Sequence, residues 1–203
     1  IKYKDVNGDG VITSDDQVPL SSNPNYPRLM YGFGAEFRWK KLTLGLLFKG
    51  VGNVENYVVD YWKSGSGFLP FGTGTTGNVL AITANQGNRW TPREISGTPA
   101  TENPNAMFPR LSYGNDHNSV QNSTFWKTNA RYLRLQEINL SYNFTSGKIL
   151  KAVGVSSLDL QFVASNVCVW SPFKHWDPEQ GGGNGLKYPT QRVFNFGFQM
   201  TIN

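Results

Sequence analysis

The chain has 203 residues, of which 38% are hydrophobic, 14% aromatic and only 16% charged, with 22 Gly and 11 Pro. Many aromatics and few charges exclude a disordered chain, the glycine and proline content argues against a helical bundle, and no apolar run approaches the roughly 18–20 residues of a transmembrane helix. The net charge of +5 comes from scattered residues, with Lys40-Lys41 the only adjacent basic pair, so the basic cluster of a nucleic-acid binder is missing and no such partner is expected.

The opening Ile1-Lys-Tyr-Lys-Asp5 has neither an initiating Met nor an apolar signal core, so the chain reads as a piece of a longer protein or a processed product. The sharpest local motif comes next, in Asp5-Val-Asn7-Gly-Asp9-Gly-Val11-Ile-Thr13-Ser-Asp-Asp16. With Asp5 as position one, oxygen donors Asp5, Asn7, Asp9 and Asp16 fall at positions 1, 3, 5 and 12, and a glycine at position 6 permits the sharp turn. The Val11 carbonyl would supply position 7, and Thr13 would donate directly or through water. This spacing predicts a structural calcium site, weakened where the shorter Asp16 replaces the usual Glu; the alternative is an ordinary Asx- and Gly-rich turn. No helix pattern flanks the loop, so an EF-hand sensor is not expected.

Period-two alternation dominates the chain from Leu29 onward. Leu29, Tyr31, Phe33, Ala35, Phe37 and Trp39 share one face, opposite Met30, Gly32, Gly34, Glu36 and Arg38. Leu42, Leu44, Leu46 and Phe48 repeat the pattern against Lys41, Thr43, Gly45 and Lys49, with Leu47 out of phase. The near-contiguity of the two stretches predicts a tight antiparallel hairpin over 28–51. Residues 53–124 have loop chemistry, and so long a loop in a compact domain is usually functional. Within it Gly72-Thr-Gly-Thr-Thr-Gly77 matches a dinucleotide fingerprint formally, but lies in no strand–turn–helix context and reads as loop glycine. Alternation returns over 125–143, where Leu133 and Leu135 are in one phase and Ile138, Leu140 and Tyr142 in the other. That slip predicts a β-bulge near Gln136-Glu137. A connection at 144–154, with one helical turn expected over Lys148–Ala152, leads to Leu158, Leu160, Phe162 and Ala164. After the loop at 170–189 the chain closes on Phe194, Phe196, Phe198, Met200 and Ile202.

Cys168 reads as a small strand hydrophobe. His117 and His175 lie in loops near no nucleophile. Asp177 and Glu179, two residues apart in one loop, make poor glycosidase carboxylates. No catalytic constellation emerges, and an enzyme is not expected.

Connection lengths alternate short and long, and the strands carry apolar and polar faces. Both features are those of an outer-membrane barrel, with short turns on the periplasmic side and long loops outside. Trp39, Trp126, Tyr142 and Trp170 would suit its interfacial girdles. A soluble β-sandwich shares the alternation, and a calcium-dependent carbohydrate-binding module of that kind is the competing function.

In order along the chain, the Ile1–Gly10 stretch, Tyr31-Gly-Phe-Gly-Ala35, Phe48-Lys-Gly-Val-Gly52, Glu102-Asn-Pro-Asn105 with Phe108-Pro-Arg-Leu-Ser112, Tyr132-Leu-Arg-Leu135, Ser165-Asn166, Trp176-Asp-Pro-Glu179, and Tyr188-Pro through Arg192-Val-Phe-Asn-Phe-Gly197 resemble the C-terminal part of SusC/RagA-type TonB-dependent outer-membrane transporters of Bacteroidetes. The resemblance implies an all-β fold, in which about five antiparallel strands belong to a plugged barrel of about 22. It also implies import of oligosaccharides or peptides, powered by the TonB complex under a SusD-like surface lipoprotein. Partners would be the rest of the barrel with its plug, outer-membrane lipid and the substrate, with the long loops extracellular and the C-terminus periplasmic. The plug lies outside these residues. Glu36, Arg38, Lys41 and Lys49 would face the lumen, and Tyr57, Tyr61, Trp62 and Trp90 of the long loop would contact a sugar, the lid protein or neighbouring loops. The last strand resembles an assembly signal, although Ile202 stands where the family has a terminal Phe and Asn203 comes after it. Five strands leave two open edges that lipid cannot satisfy, so this section is no autonomous pore.

Overall fold

A computed structural model describes residues 1–20, 26–58, 84–110, 118–119, 121–145, 147, 152, 154–181 and 187–202. The expected helical turn at Lys148–Ala152 falls almost wholly outside these residues, as do Gly72–Gly77, Tyr61, Trp62 and His117. The chain divides into two compact units, one built from 25–55, 129–181 and 187–203, the other from 1–24, 56–128 and 182–186.

The first unit is a five-stranded antiparallel sheet. Its strands are β1 (Leu29–Trp39), β2 (Leu42–Gly52), β5 (Tyr132–Thr145), β6 (Val155–Trp170) and β7 (Val193–Ile202), lying side by side in that order. They run 11, 11, 14, 16 and 10 residues, each long enough for the roughly 9–11 residues a tilted strand needs to cross a bilayer. The expected hairpin is present: β1 and β2 pair from Leu29↔Gly52 to Trp39↔Leu42 across the two-residue turn Lys40-Lys41. Lys40 takes the positive φ of 53° at the first turn position, the conformation that two-residue hairpin loops require, and its ammonium lies 4.9 Å from the Trp39 ring centroid.

Register makes the two faces explicit, because residues directly opposite in an antiparallel pair project to the same side. One row reads Phe37, Leu44, Leu140, Phe162, Phe196 from edge to edge. The next row on the same face is Trp39, Leu42, Tyr142, Leu160, Phe198. On the other face Arg38, Thr43, Ser141, Gln161 and Gly197 line up. The apolar face is open: Trp39 is 68% exposed, Phe198 73% and Phe196 82%. A soluble sandwich would cover such a face with a second sheet. Among the described residues the only other sheet is the ribbon of β3 (Glu55–Tyr57) and β4 (Lys127–Asn129), three residues a strand, too small to do so.

The bulge falls where the phase slip places it. Leu47 faces Glu137 and Phe48 faces Leu135, leaving Gln136 without an opposite residue on β2. On β6, Ser165 faces Glu137 and Cys168 faces Leu135. Asn166 between them adopts φ 56° and donates its amide to Gln191 O at 3.0 Å. Gly50 is fixed by a close approach: a Cβ there would sit 2.5 Å from the Tyr31 ring and 2.6 Å from Tyr132 O.

In the second unit, short elements punctuate what composition marks as loop. They comprise 3-10 turns at Gln86–Asn88 and Pro99–Thr101 and the single-turn helix α1 (Arg93–Ser96), closed by Gly97 at φ 76°. The alternation beginning at 125 belongs to this unit rather than to the large sheet: Phe125 and Trp126 form a turn, and Trp126 is 1% exposed with its indole N–H on Ser119 O at 2.8 Å. Burial and that hydrogen bond remove Trp126 from any interfacial girdle. Trp39, Tyr142 and Trp170 do project exposed from the ends of strands.

Candidate functional site

Among the described residues, the polar face of the sheet holds an ion cluster built on β2, β5 and the segment after β6. Arg134 on β5 and Lys49 on β2 face each other in register. The bulge at Gln136 puts Arg134 on this face, beside Tyr132 and opposite the side of Leu133 and Leu135. Its guanidinium is 3% exposed, and one terminal nitrogen donates to both Asp177 oxygens, at 2.5 and 2.7 Å. A buried guanidinium needs such a counter-ion, since an unpaired buried charge costs several kcal/mol.

Asp177 comes from the 171–181 segment after β6, where it also caps the 3-10 turn Pro178–Gln180 by accepting Glu179 N–H at 3.0 Å. Burial alone would raise its carboxyl, but hydrogen bonds from Arg134, Glu179 N–H and Thr190 outweigh it and hold Asp177 below the usual carboxylate range. Glu179 stands between two cations: one oxygen accepts from Lys49 Nζ at 2.5 Å, and the other lies 3.2 Å from Arg134 Nε. Ring packing steadies the same segment. Phe173, 5% exposed, stacks edge-on against Trp176 at 4.9 Å and His175 at 5.2 Å, and Trp176 Nε1 donates to Gly181 O. Burial pushes the His175 imidazole down from its ordinary pKa.

Asp177 and Glu179, poor catalytic carboxylates by their spacing, are thus counter-ions. Sequence reasoning missed Arg134 as their partner; the available signal was a lone arginine in a strand whose other face is leucine. The other lumen candidates make local contacts: Arg38 pairs with Glu36 at 2.6 Å, both exposed, and Lys41 Nζ donates to Thr145 O. Of the loop aromatics, Tyr57 is half-buried in β3, and half-buried Trp90 donates its backbone N–H to Phe108 O.

The Asp-rich loop folds on itself. Asp5 accepts Gly8 and Gly10 N–H at 2.6 and 2.8 Å, and Asp16 accepts Val6 and Thr13 N–H at 2.7 and 2.8 Å. Gly8 and Gly10 take φ 80° and 83°, the left-handed region that glycine enters at no steric cost. Amide donation from Thr13 and Val6 holds the Asp16 carboxyl below the usual range, and the Asp5 carboxyl lies beside it. Asn7 bonds Asp9 at 3.1 Å, Asp9 accepts Val11 N–H at 2.8 Å, and the Thr13 hydroxyl caps the turn Ser14–Asp16. Among the described residues, no three His, Cys, Asp or Glu side chains are grouped to hold a metal. Equally, no Lys or Arg among them pairs with Asp5, Asp9 or Asp16. Adjacent like charges without a counter-ion are chemistry that a divalent cation would satisfy.

No family model matches the chain. Over 217 aligned residues it is 29% identical to the TonB-dependent receptor P26 of Formosa agariphila, covering 99% of this chain and 19% of that protein. Its fold superimposes on the RagAB peptide transporter with a TM-score of 0.62 and on the RagAB peptide importer in its open-open state with 0.59. Both are 20% identical, and each match covers 94% of this chain and 19% of the other. The chain therefore spans about a fifth of the proteins it matches. The chain is thus similar over nearly its whole length to a stretch of a TonB-dependent receptor, and its open, two-faced antiparallel sheet has the fold of the corresponding stretch of the RagAB transporter.

Proposed function

We propose that the chain forms part of the wall, and one set of long loops, of an outer-membrane active transporter that imports oligosaccharides or peptides, energised by TonB and working with a SusD-like surface lipoprotein. The observation that carries this reading is the sheet with one apolar and one polar face running unbroken across five strands. In lipid, a wall of that kind needs closure by further strands so that every edge amide is paired. The apolar rows face acyl chains, the polar rows face the lumen, and Trp39, Tyr142 and Trp170 sit at the interfaces. The tight Lys40-Lys41 turn is periplasmic, as is the C-terminus, and the connections after β2 and β6 are extracellular.

Fractionation of the full-length receptor tests this directly: it should partition with outer membrane and need detergent for release. Recovery in the soluble fraction would overturn the reading, as would uptake that is indifferent to deletion of TonB. Calcium held by Asp5, Asn7, Asp9, Asp16, the Val11 carbonyl and Thr13 braces the extracellular loop. A chelator should then speed proteolysis within 1–20, and equal cleavage with and without chelator would remove calcium from the account.

A further inference from the structure

The two halves of the ion cluster are not equivalent. Arg134 and Asp177 are 3% and 16% exposed, whereas Lys49 and Glu179 are 36% and 35% exposed. Asp177 is fixed three times over, by Arg134, by its own turn and by Thr190. Glu179 is held by less. Among the described residues its one well-formed side-chain bond is to Lys49, and its other oxygen faces Arg134 Nε at 3.2 Å without completing a hydrogen bond, so that buried nitrogen has no hydrogen-bond partner among them. Guanidinium edges favour two parallel bonds to one carboxylate. Here that arrangement is incomplete: the contact of Glu179 with Arg134 Nε is an ion pair without a completed hydrogen bond.

We propose that Lys49 and Arg134 form a carboxylate seat on the polar face, filled in this structure by Glu179 of the chain's own loop, and that a carboxylate-bearing ligand takes Glu179's place. The ligand carboxylate completes the bond to Arg134 Nε and accepts from Lys49. Glu179 swings out to water, which its exposure already allows, while Asp177 keeps the 171–181 segment on the sheet. The exchange trades one ion pair for another, so no charge is left buried and uncompensated. That the ligand is an imported substrate rests on the transporter reading; the seat itself does not.

The test uses purified full-length receptor in detergent at constant ionic strength, with N-acetyl tetra-glutamate and N-acetyl tetra-glutamine as probes. Glu179→Ala, which vacates the seat, should bind tetra-glutamate about tenfold more tightly than wild type. Lys49→Met should bind it at least tenfold more weakly than wild type, and no variant should favour tetra-glutamine. In wild type, saturating tetra-glutamate should speed amide exchange at Glu179–Gly181 while β5 stays protected. Equal affinity of wild type and Glu179→Ala for tetra-glutamate overturns the seat, and so does equal affinity for the two probes. A receptor that passes these tests yet fractionates as soluble would sink the transporter reading and leave the seat standing.

Discussion

Two arginine–carboxylate pairs hold two different loop segments, and the better-formed one matters less. Arg93 and Glu102 make the more complete contact: Nε reaches both oxygens at 3.2 and 3.0 Å, a terminal nitrogen adds 2.6 Å, and the Arg93 backbone N–H adds another at 3.0 Å. Yet Arg93 is 60% exposed, and water competes for every one of those bonds. Arg134 and Asp177 are joined through a single nitrogen, but Arg134 is buried and Asp177 is half-buried against it. Geometry sets how well a pair fits; burial sets how much is lost when it is broken.

The largest expected effect is therefore at Asp177. Asp177→Ala should destabilise the full-length protein by about 3–5 kcal/mol in chemical unfolding, because buried Arg134 keeps only the incomplete contact with Glu179; a loss no larger than that of Arg93→Gln would break the comparison. Second comes a steric contact that involves no charge. Gly50→Ala drives a Cβ into the Tyr31 ring and Tyr132 O, an overpacking that should cost about 1–3 kcal/mol by the same measurement.

Third is a pH effect confined to the buried segment. His175 titrates near 6.5 when unfolded and lower when folded, so the stabilisation it gives is complete above about 6.5 and drains away as pH falls through the folded value. Asp177 is also depressed, but its contribution persists down to about 3.9 and is lost only below that. Hydrogen exchange over 171–181, corrected for intrinsic rate, should therefore quicken as pH falls below about 6.5. His175→Phe should abolish the change, and residues 91–102, which contain no histidine, should show none. The smallest effect is Arg93→Gln, expected to leave global unfolding unchanged and to loosen only the α1 turn.

The sheet was legible because its physics is written in neighbouring residues. Leu29 to Phe48 alternates with Met30 and Leu47 out of phase, so both strands and their turn emerge from period two, and the slip between Leu135 and Ile138 marks the bulge. The ion cluster is of another kind. Arg134 and Asp177 lie 43 residues apart, and nothing local at either position names the other. Their pairing appears only once β5 and β6 are in register and the 171–181 segment folds back over β5. Trp126 shows the limit from the opposite side. An aromatic next to an alternating stretch has the appearance of a girdle residue until a partner carbonyl, here Ser119 O, draws it inside. β3 and β4 are three residues each, too short for any period to be read.

The bulge carries a final consequence, visible when adjacent strands are counted across one level of the sheet. No residue lies between Leu47 and Phe48 on β2, Gln136 lies between the matching pair on β5, and Asn166 and Val167 lie between theirs on β6. From β2 to β5 to β6, each strand spends one more residue than the last to climb the same step. A sheet whose contour lengthens in that progression cannot stay flat, just as a staircase whose outer treads are wider must turn. Inserted residues of this kind bend a strand and strengthen its right-handed twist, so β5 and β6 are bent one residue or two from Arg134.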